Sequence, residues 1–424
     1  MGILLLLITF IASTYGFGLL GRDLGINFRT SVGTFEFDQI VLIIVLVICF
    51  FKKNRRKINF KDPILFPVIM LIIFTTFQFL RNIIEGLDLQ LALRGIKNIS
   101  TIFFIFPVVI LIKNKSQLRV FINWILIIGF ISALVSIYQF FSGTTFSASQ
   151  ARRFTEGFSR IYHPGAVLMV FCFFISLSHF LTIGIKKKYN WMYVLAPFYI
   201  IGMLTTLHRS LIGITLICSV IIIIIYLFYE GKFRLLWKPI IGGIIVILIL
   251  NYFLQKSGFG VDRLFLRAES AIMEIKYFEG NYAFRWEFLN DTFSRIIKES
   301  PLIGVGFQDK STNDRYTYNL TNDNTYNNIL IMFGLSGIVL WLVIMYRIAN
   351  TSYRNYKITS GLFEKSLCLV TLIMPLFFIV LGFFNALIIY APNCVIWTTI
   401  IGLLYLIKLF NLQEQNNIKT NEIA

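Results

Sequence analysis

Roughly twelve stretches of this chain are apolar for long enough to run through a lipid bilayer, and that closes off almost every other fold. The core of a bilayer takes about 20 apolar residues per helix, and a backbone inside it must satisfy its own hydrogen bonds. The stretches are 2–20, 39–51, 63–80, 99–112, 118–141, 161–184, 190–207, 211–229, 236–254, 326–347, 366–390 and 393–410. Hydrophobic residues make up 57% of the chain and charged ones 14%, against about 25% charged in soluble domains. The expectation is an all-α polytopic integral membrane protein with about 12 transmembrane helices. The first stretch lacks a basic leader and a small-residue cleavage pattern, so it reads as a retained span.

Charge orients these helices, because cytoplasmic loops carry an excess of Lys and Arg. Lys52-Lys53-Asn54-Arg55-Arg56-Lys57 follows the second stretch and Lys186-Lys187-Lys188 the sixth. Both belong inside. Alternation then places Lys113, Lys115 and Arg119, next Lys232, Arg234 and Lys238, and finally Arg347, Arg354, Lys357 and Lys365 inside as well, with both termini. Every strongly basic short loop fits this one topology. The insertion rule therefore accounts for the net charge of +18, and with no separate basic domain, nucleic acid is not an expected partner.

Arginine departs from the pattern. On this threading about 13 of the 19 arginines face outward, whereas about 15 of the 20 lysines face inward, the reverse of what the insertion rule asks of arginine. A guanidinium grips phosphate as a planar fork and stays charged at a partly desolvated site. Pairing with outward acids accounts for most of the loop arginines. Those at the ends of apolar stretches are left for an anionic ligand, and a lipid-linked pyrophosphate is the first candidate.

Other chemistries find little support. Cys49, Cys172, Cys218, Cys368 and Cys394 all lie inside or at the end of apolar stretches, where a thiol packs as a small hydrophobe. Neither a disulfide nor a metal site is expected. His163, His179 and His208 lack ligand spacing, and no Walker or dinucleotide loop is present, which argues against an ATP-driven pump or a redox enzyme and calls for no cofactor.

Between the stretches, outward segments are modest at 21–38, 81–98 and 142–160, and one is long, 255–325. The chain divides accordingly into spans over 1–254, an extracytoplasmic loop over 255–325, spans over 326–410 and a cytoplasmic polar tail over 411–424. Helical spacing of apolar and charged residues from Val261 to Glu279 and from Ala283 to Glu299 predicts two amphipathic helices over the outer face. A tight loop, Pro301-Leu302-Ile303-Gly304-Val305-Gly306-Phe307, follows, then a polar stretch down to Asn328.

The candidate site residues sit at these boundaries. Thr205-Thr206-Leu207-His208-Arg209-Ser210 joins two stretches in almost too few residues for a loop, so Arg209 lies near the end of a helical hairpin, where a charge is costly without a partner. Snorkelling would suit a lipid-facing arginine but leaves His208 and Ser210 unexplained. The segment Ala151 to Pro164 holds Arg152, Arg153, Glu156, Arg160 and His163. A solvated loop serves Arg152 and Arg153 equally well. Arg160 and His163 lie nearer the membrane boundary, and Pro164 in the first helical turn leaves the groups before it directed at the outer cavity. Arg94 and Lys97 are weaker candidates of the same kind.

Arg285 opens the second amphipathic helix, and Trp286 beside it can stack on a sugar, although interface anchoring is the commoner role of a tryptophan there. Asp323 and Asn324 precede the tenth stretch within Thr321-Asn322-Asp323-Asn324-Thr325-Tyr326-Asn327-Asn328. Either can cap the helix. Four amides and a carboxylate in so few positions also suit the wall of a site for a hydroxyl-rich ligand, and the carboxylate can orient an acceptor hydroxyl or take its proton.

Several of these stretches together resemble the hallmark region of the O-antigen ligase and O-antigen polymerase superfamily. Arg285-Trp286-Glu287 leads to the Pro301–Phe307 loop, then to Asn324-Thr325-Tyr326 and Phe333-Gly334-Leu335-Ser336-Gly337-Ile338-Val339-Leu340, in the family's order of an arginine-bearing helix, a P-x-x-G-x-G loop and a helix carrying G-x-x-G. Leu204 to Gly213, with Arg209-Ser210, is similar to the family's earlier T-x-S-R hairpin. The matches cover roughly the second half of the chain, and their conjunction is more specific than any one of them.

The resemblance implies a metal-independent membrane glycosyltransferase of GT-C type in the bacterial inner (plasma) membrane, with its active site on the extracytoplasmic face. Its donor is a glycan on undecaprenyl pyrophosphate, held by arginines, a role that carries over to Arg209 and Arg285. A chain-length regulator protein is a candidate partner besides the lipid bilayer. Where ligases usually show His before Asn, this chain has Asp323 before Asn324, which favours a polymerase of lipid-linked repeat units in O-antigen, lipopolysaccharide or capsule biosynthesis. On that expectation Arg209, Arg285 and Asp323 are catalytic, and Arg160, His163, His208, Trp286, Asn324, Tyr326 and Glu156 bind substrate, with Asp323 or Glu156 as the base. The alternatives are a ligase transferring the glycan to lipid A core and, from another class, a flippase of the same lipid-linked sugars. Transporters tend to show repeated halves and mid-membrane charges, and this chain shows neither.

Overall fold

The computed structural model describes residues 2–15, 28–30, 33–35, 37–51, 58–86, 89, 92–93, 96, 99–142, 152–155, 158–161, 165–184, 190–206, 208–231, 252, 269–270, 273–274, 276–307, 324–385, 387 and 391–423. Among them the longer helices are α1 (Gly2–Tyr15), α2 (Phe37–Phe51), α3 (Phe66–Ile84), α4 (Ile105–Leu111, entered through a 3-10 turn at Ser100–Phe104), α5 (Lys115–Ser142), α6 (Ala166–Ile183), α7 (Asn190–Thr205), α8 (Arg209–Glu230), α9 (Gly280–Glu299), α10 (Thr325–Ile358), α11 (Leu362–Leu381) and α12 (Ala391–Ile423). Two short antiparallel hairpins complete the described elements: β1 (Phe28–Thr30) with β2 (Gly33–Phe35), and β3 (Arg152–Thr155) with β4 (Phe158–Ile161).

Seven helices, α3, α5, α6, α8, α10, α11 and α12, are long and apolar enough to cross a membrane, and shorter apolar helices occupy Gly2–Ile11, Ile40–Phe51, Ser100–Leu111 and Val194–Thr205. The chain is a polytopic membrane protein. Each of these helices falls on one of the apolar stretches of the sequence. The remaining stretch, 236–254, lies outside the described residues except for Tyr252. Several hydroxyls within the spans are satisfied at no expense of the helix: Thr75, Thr215, Ser352, Thr398 and Thr399 each donate to the carbonyl four residues back, a local partner that keeps a polar side chain tolerable in an apolar setting.

The boundaries differ from the expectation in instructive places. The polar tail is not loose, because α12 continues to Ile423. The tenth stretch extends to Ile358 and is interrupted at Gly334. Of the two amphipathic helices, α9 coincides with the second, while most of Val261–Glu279 lies outside the described residues. The hairpins within 21–38 and 142–160 carry no strand pattern that stands out from a connecting segment.

The chain divides into two compact units. In the first, residues 1–124, 288–360 and 374–424, α12 is the central element, with 83% of its apolar window buried. Trp341 of α10 meets Trp397 of α12 edge to face at 5.7 Å, and Asn355 Nδ2 donates to the Leu404 carbonyl at 3.3 Å. Further along, Lys408 pairs with Asp62 at 2.6 Å, and Asn411 Nδ2 donates to Thr359 Oγ1 at 2.8 Å.

In the second unit, residues 125–287 and 361–373, α5, α6 and α7 approach closely through small residues. A Cβ on Gly202 would lie 2.7 Å from Ala133 Cα, and one on Gly129 would lie 2.4 Å from Cys172 Sγ. Such close approach is how helices gain packing energy where lipid removes the usual hydrophobic drive. Ser136 Oγ donates to the Gly202 carbonyl at 3.0 Å and Tyr199 OH to the Leu126 carbonyl at 2.7 Å. By contrast, α8 has only 33% of its window buried, with Leu216, Ile217, Val220 and Phe228 exposed, a surface suited to lipid. All five cysteines are buried.

Candidate functional site

Four of the described candidate residues lie at two helix starts. The first is the start of α10, in the first unit. Asn324 has extended backbone (φ −134°, ψ 117°), and its Oδ1 accepts from the N–H groups of Tyr326 at 2.9 Å and Asn327 at 3.2 Å. That is an N-cap, which satisfies donors a helix start would otherwise orphan. Thr325 N–H donates to the Gly382 carbonyl at 2.7 Å. Its hydroxyl donates to the Asn385 carbonyl at 2.5 Å and accepts from Leu387 N–H at 2.8 Å. Tyr326 OH donates to the Ile379 carbonyl at 2.6 Å, with its ring against Phe383. Asn324, Thr325, Asn327 and Asn328 are all buried.

One turn further, α10 and the Pro301–Phe307 loop exchange backbone hydrogen bonds. Gly334 adopts φ 62° and ψ −155°, which breaks the helical ladder. Leu335 and Ser336 then donate to the carbonyls of Pro301 (2.9 Å) and Leu302 (3.1 Å) instead of to their own helix. The Ile331 carbonyl, released by the break, accepts from Val305 at 2.8 Å and Gly306 at 3.1 Å. The two backbones touch, since a Cβ on Gly304 would lie 2.5 Å from the Ile331 oxygen and one on Gly334 2.6 Å from the Gly304 nitrogen. Only glycine fits there, for want of space and because both φ angles are positive.

Helix α3 clamps the other side of this loop. Gln78 Nε2 donates to the Ile303 carbonyl, and Arg81 Nη1 donates to the Gly304 carbonyl at 2.8 Å. Asn82 does both, donating to the Val305 carbonyl at 3.2 Å and accepting from Phe307 N–H at 2.7 Å. The glycine motif is thus a backbone strap held between two helices, every carbonyl from Pro301 to Val305 having a donor.

The second helix start is that of α8, in the second unit. His208 caps it: Nδ1 accepts from Leu211 N–H at 3.4 Å and lies 3.0 Å from Ser210 Oγ. A backbone donor at Nδ1 places the proton of the neutral ring on Nε2. Arg209 is the first helical residue, and its Nη1 meets Glu274 Oε1 at 3.0 Å, with both side chains 28% exposed. A cation at a helix start opposes the helix dipole, which favours anions there. The carboxylate of Glu274 supplies the negative charge that the helix end and the guanidinium both attract.

Arg285 and Trp286 lie on α9, which has three faces. Thr292 and Ile296 are buried and Arg285 half-buried along one of them; Trp286, Phe293 and Ile297 are exposed along another; Glu287, Asp291 and Lys298 occupy the third. An exposed apolar edge beside a charged one suits a membrane interface, which fits Trp286 as an anchor.

Asp323, Glu156 and His163 lie outside the described residues, as do Arg94 and Lys97. The backbone of Arg160 belongs to β4, in register with Arg153 of β3. Among the described residues, no three His, Cys, Asp or Glu side chains come together to hold a metal ion. Sequence reasoning did not single out Glu274, nor the clamp of Gln78, Arg81 and Asn82. The clamp did leave a signal, two amides four residues apart at the end of an otherwise apolar stretch; Glu274 left none among the acids of its segment. No protein-family model matches the chain, and no curated protein is significantly similar to it.

Proposed function

We propose that this membrane protein is a glycosyltransferase that polymerises oligosaccharide repeat units carried on undecaprenyl pyrophosphate, at the extracytoplasmic face of a bacterial inner membrane. The observation that carries the reading is Arg209: a guanidinium in the first turn of a membrane-length helix, where an anion is favoured, paired with a partly exposed carboxylate. Glu274 stands where a pyrophosphate oxygen would bind. The donor's pyrophosphate exchanges with it, bringing two or more charges to a site that the carboxylate fills with one.

In the reaction the acceptor hydroxyl of one repeat unit attacks the anomeric carbon of the other. The new C–O bond forms as the bond from that carbon to the pyrophosphate oxygen breaks, and the electron pair leaves with undecaprenyl pyrophosphate. The hydroxyl proton passes to a carboxylate, Asp323 or Glu156. Arg209, with Arg285, stabilises the charge that develops on the leaving group, the kind of term that dominates many such catalysts. A single displacement inverts the anomeric centre.

The test is to reconstitute the full chain in liposomes with undecaprenyl-pyrophosphate-linked repeat units and to resolve the products by size. A ladder accompanied by released undecaprenyl pyrophosphate is expected, and Arg209→Ala in a correctly inserted protein abolishes it. A chain-length distribution untouched by that substitution overturns the role of Arg209. Turnover only on addition of lipid A core identifies a ligase instead.

A further inference from the structure

The first turn of α10 contains one polar side chain that its own fold does not use. Asn324 spends Oδ1 on the cap, Thr325 uses its hydroxyl in both directions and Tyr326 donates its hydroxyl to Ile379. Asn327 is fully buried, at 0% exposure, yet neither Oδ1 nor Nδ2 has a hydrogen-bond partner among the described residues. Folded proteins seldom bury an amide unpaired, because its desolvation is then uncompensated. Its position gives it access to the strap: Asn327 precedes by one turn, on the same helix face, the Ile331 carbonyl that holds Val305 and Gly306.

The chemistry of the vacant pair selects the ligand class. An anion would pair with Nδ2 alone and a cation with Oδ1 alone, and an apolar group would leave both unpaired. A neutral hydroxyl pair, which donates and accepts at once, satisfies the amide in full. We propose that Asn327 is a specificity-determining residue that binds hydroxyls of the acceptor sugar, and thereby orients the attacking group at the positive end of α10. The proposal rests on the glycosyltransferase reading above and adds to it the residue that holds the acceptor.

The experiment separates the two. The probe is the delipidated repeat-unit oligosaccharide released from the strain's own surface polysaccharide, added to the purified full-length protein while its thermal unfolding is followed. Wild type melts higher with the probe. Asn327→Leu, which keeps the branched shape without polar atoms, and Asn327→Ala, in case leucine over-packs, show no such shift. With lipid-linked substrate the same variants lose transfer about 10- to 100-fold, the scale of a buried polar contact left unmade, while slow release of undecaprenyl pyrophosphate to water persists. An oligosaccharide shift as large in a folded variant as in wild type, or none in wild type, overturns the role of Asn327. A ladder that Asn327→Leu leaves at full rate removes the subsite and keeps the polymerase; Asn327-dependent binding without any ladder removes the polymerase and keeps the subsite.

Discussion

The starts of α10 and α8 both gather polar groups at the end of an apolar helix, and they are held by opposite means. At α10 the positions are set by backbone against backbone: two glycines in contact, a helix ladder broken and repaired through the Pro301–Phe307 strap, and a clamp from α3. At α8 the guanidinium of Arg209 pairs with the partly exposed carboxylate of Glu274. The first arrangement has no cheap alternative state. The Glu274 pair of the second costs little to break, since exposed ion pairs contribute only about 0–1 kcal/mol. On the proposed reading, the difference separates what must stay fixed, the geometry of an acceptor, from what must turn over, the hold on a charged leaving group.

The largest effect falls on the strap. Gly304→Ala or Gly334→Ala places a Cβ within 2.5 to 2.6 Å of backbone at a positive φ, and a loss of about 3 kcal/mol or more is expected. Size-exclusion chromatography in detergent would register it as aggregated or absent protein. A Gly334→Ala protein that melts with wild type would dissolve the contrast altogether. Asn82→Ala comes next: it strips a partner from both the Val305 carbonyl and the Phe307 N–H, at about 2–3 kcal/mol, as buried unpaired groups cost. Thermal unfolding of the solubilised variant checks this.

Arg209→Ala inverts the profile. Its stability stays within about 1 kcal/mol of wild type, in keeping with a 28%-exposed pair, while transfer falls about 100-fold or more, the range for a lost transition-state contact. Lysine at this position restores little, because a point charge lacks the bidentate fork. The smallest effect belongs to Glu274→Gln. Melting is unchanged within about 0.5 kcal/mol, and KM for the lipid-linked donor drops about two- to fivefold as the competing carboxylate is neutralised. A KM that rises instead would show Glu274 to be positioning Arg209 rather than occupying its site.

Much of the fold was legible because lipid imposes one rule on every residue of a span. Stretches such as 211–229 and 326–347 read directly as α8 and the core of α10, and Cys172, Cys218 and Cys394 fell where a small hydrophobe belongs. The candidate site was legible in part. Gly304, Gly306 and Gly334 stood out as a spacing, but nothing in that spacing says that their backbones meet, because the contact depends on a helix break some 30 residues away. Asn324 carried its capping role openly, as Asn ahead of an apolar run does. Asn327 and Asn328 looked equal to it; all three are buried, and hydrogen bonding, not burial, sets Asn327 apart. Glu274 was one acid among several, and its pairing with Arg209 joins residues 65 apart in sequence.

What the sequence by itself determined is the membrane-spanning, helical character of the chain and the places where polar groups must cluster, since a bilayer tolerates apolar side chains and self-satisfied backbone and little else. What only the tertiary structure decided is which of those polar groups are already engaged. The strap's carbonyls, the cap of α10 and the hydroxyl of Tyr326 are committed to the fold, Arg209 is paired with a partly exposed carboxylate, and the amide of Asn327 is committed to nothing among the described residues. Hydrogen bonding is a matter of ångströms between atoms far apart in the chain, and no local pattern of residues encodes it.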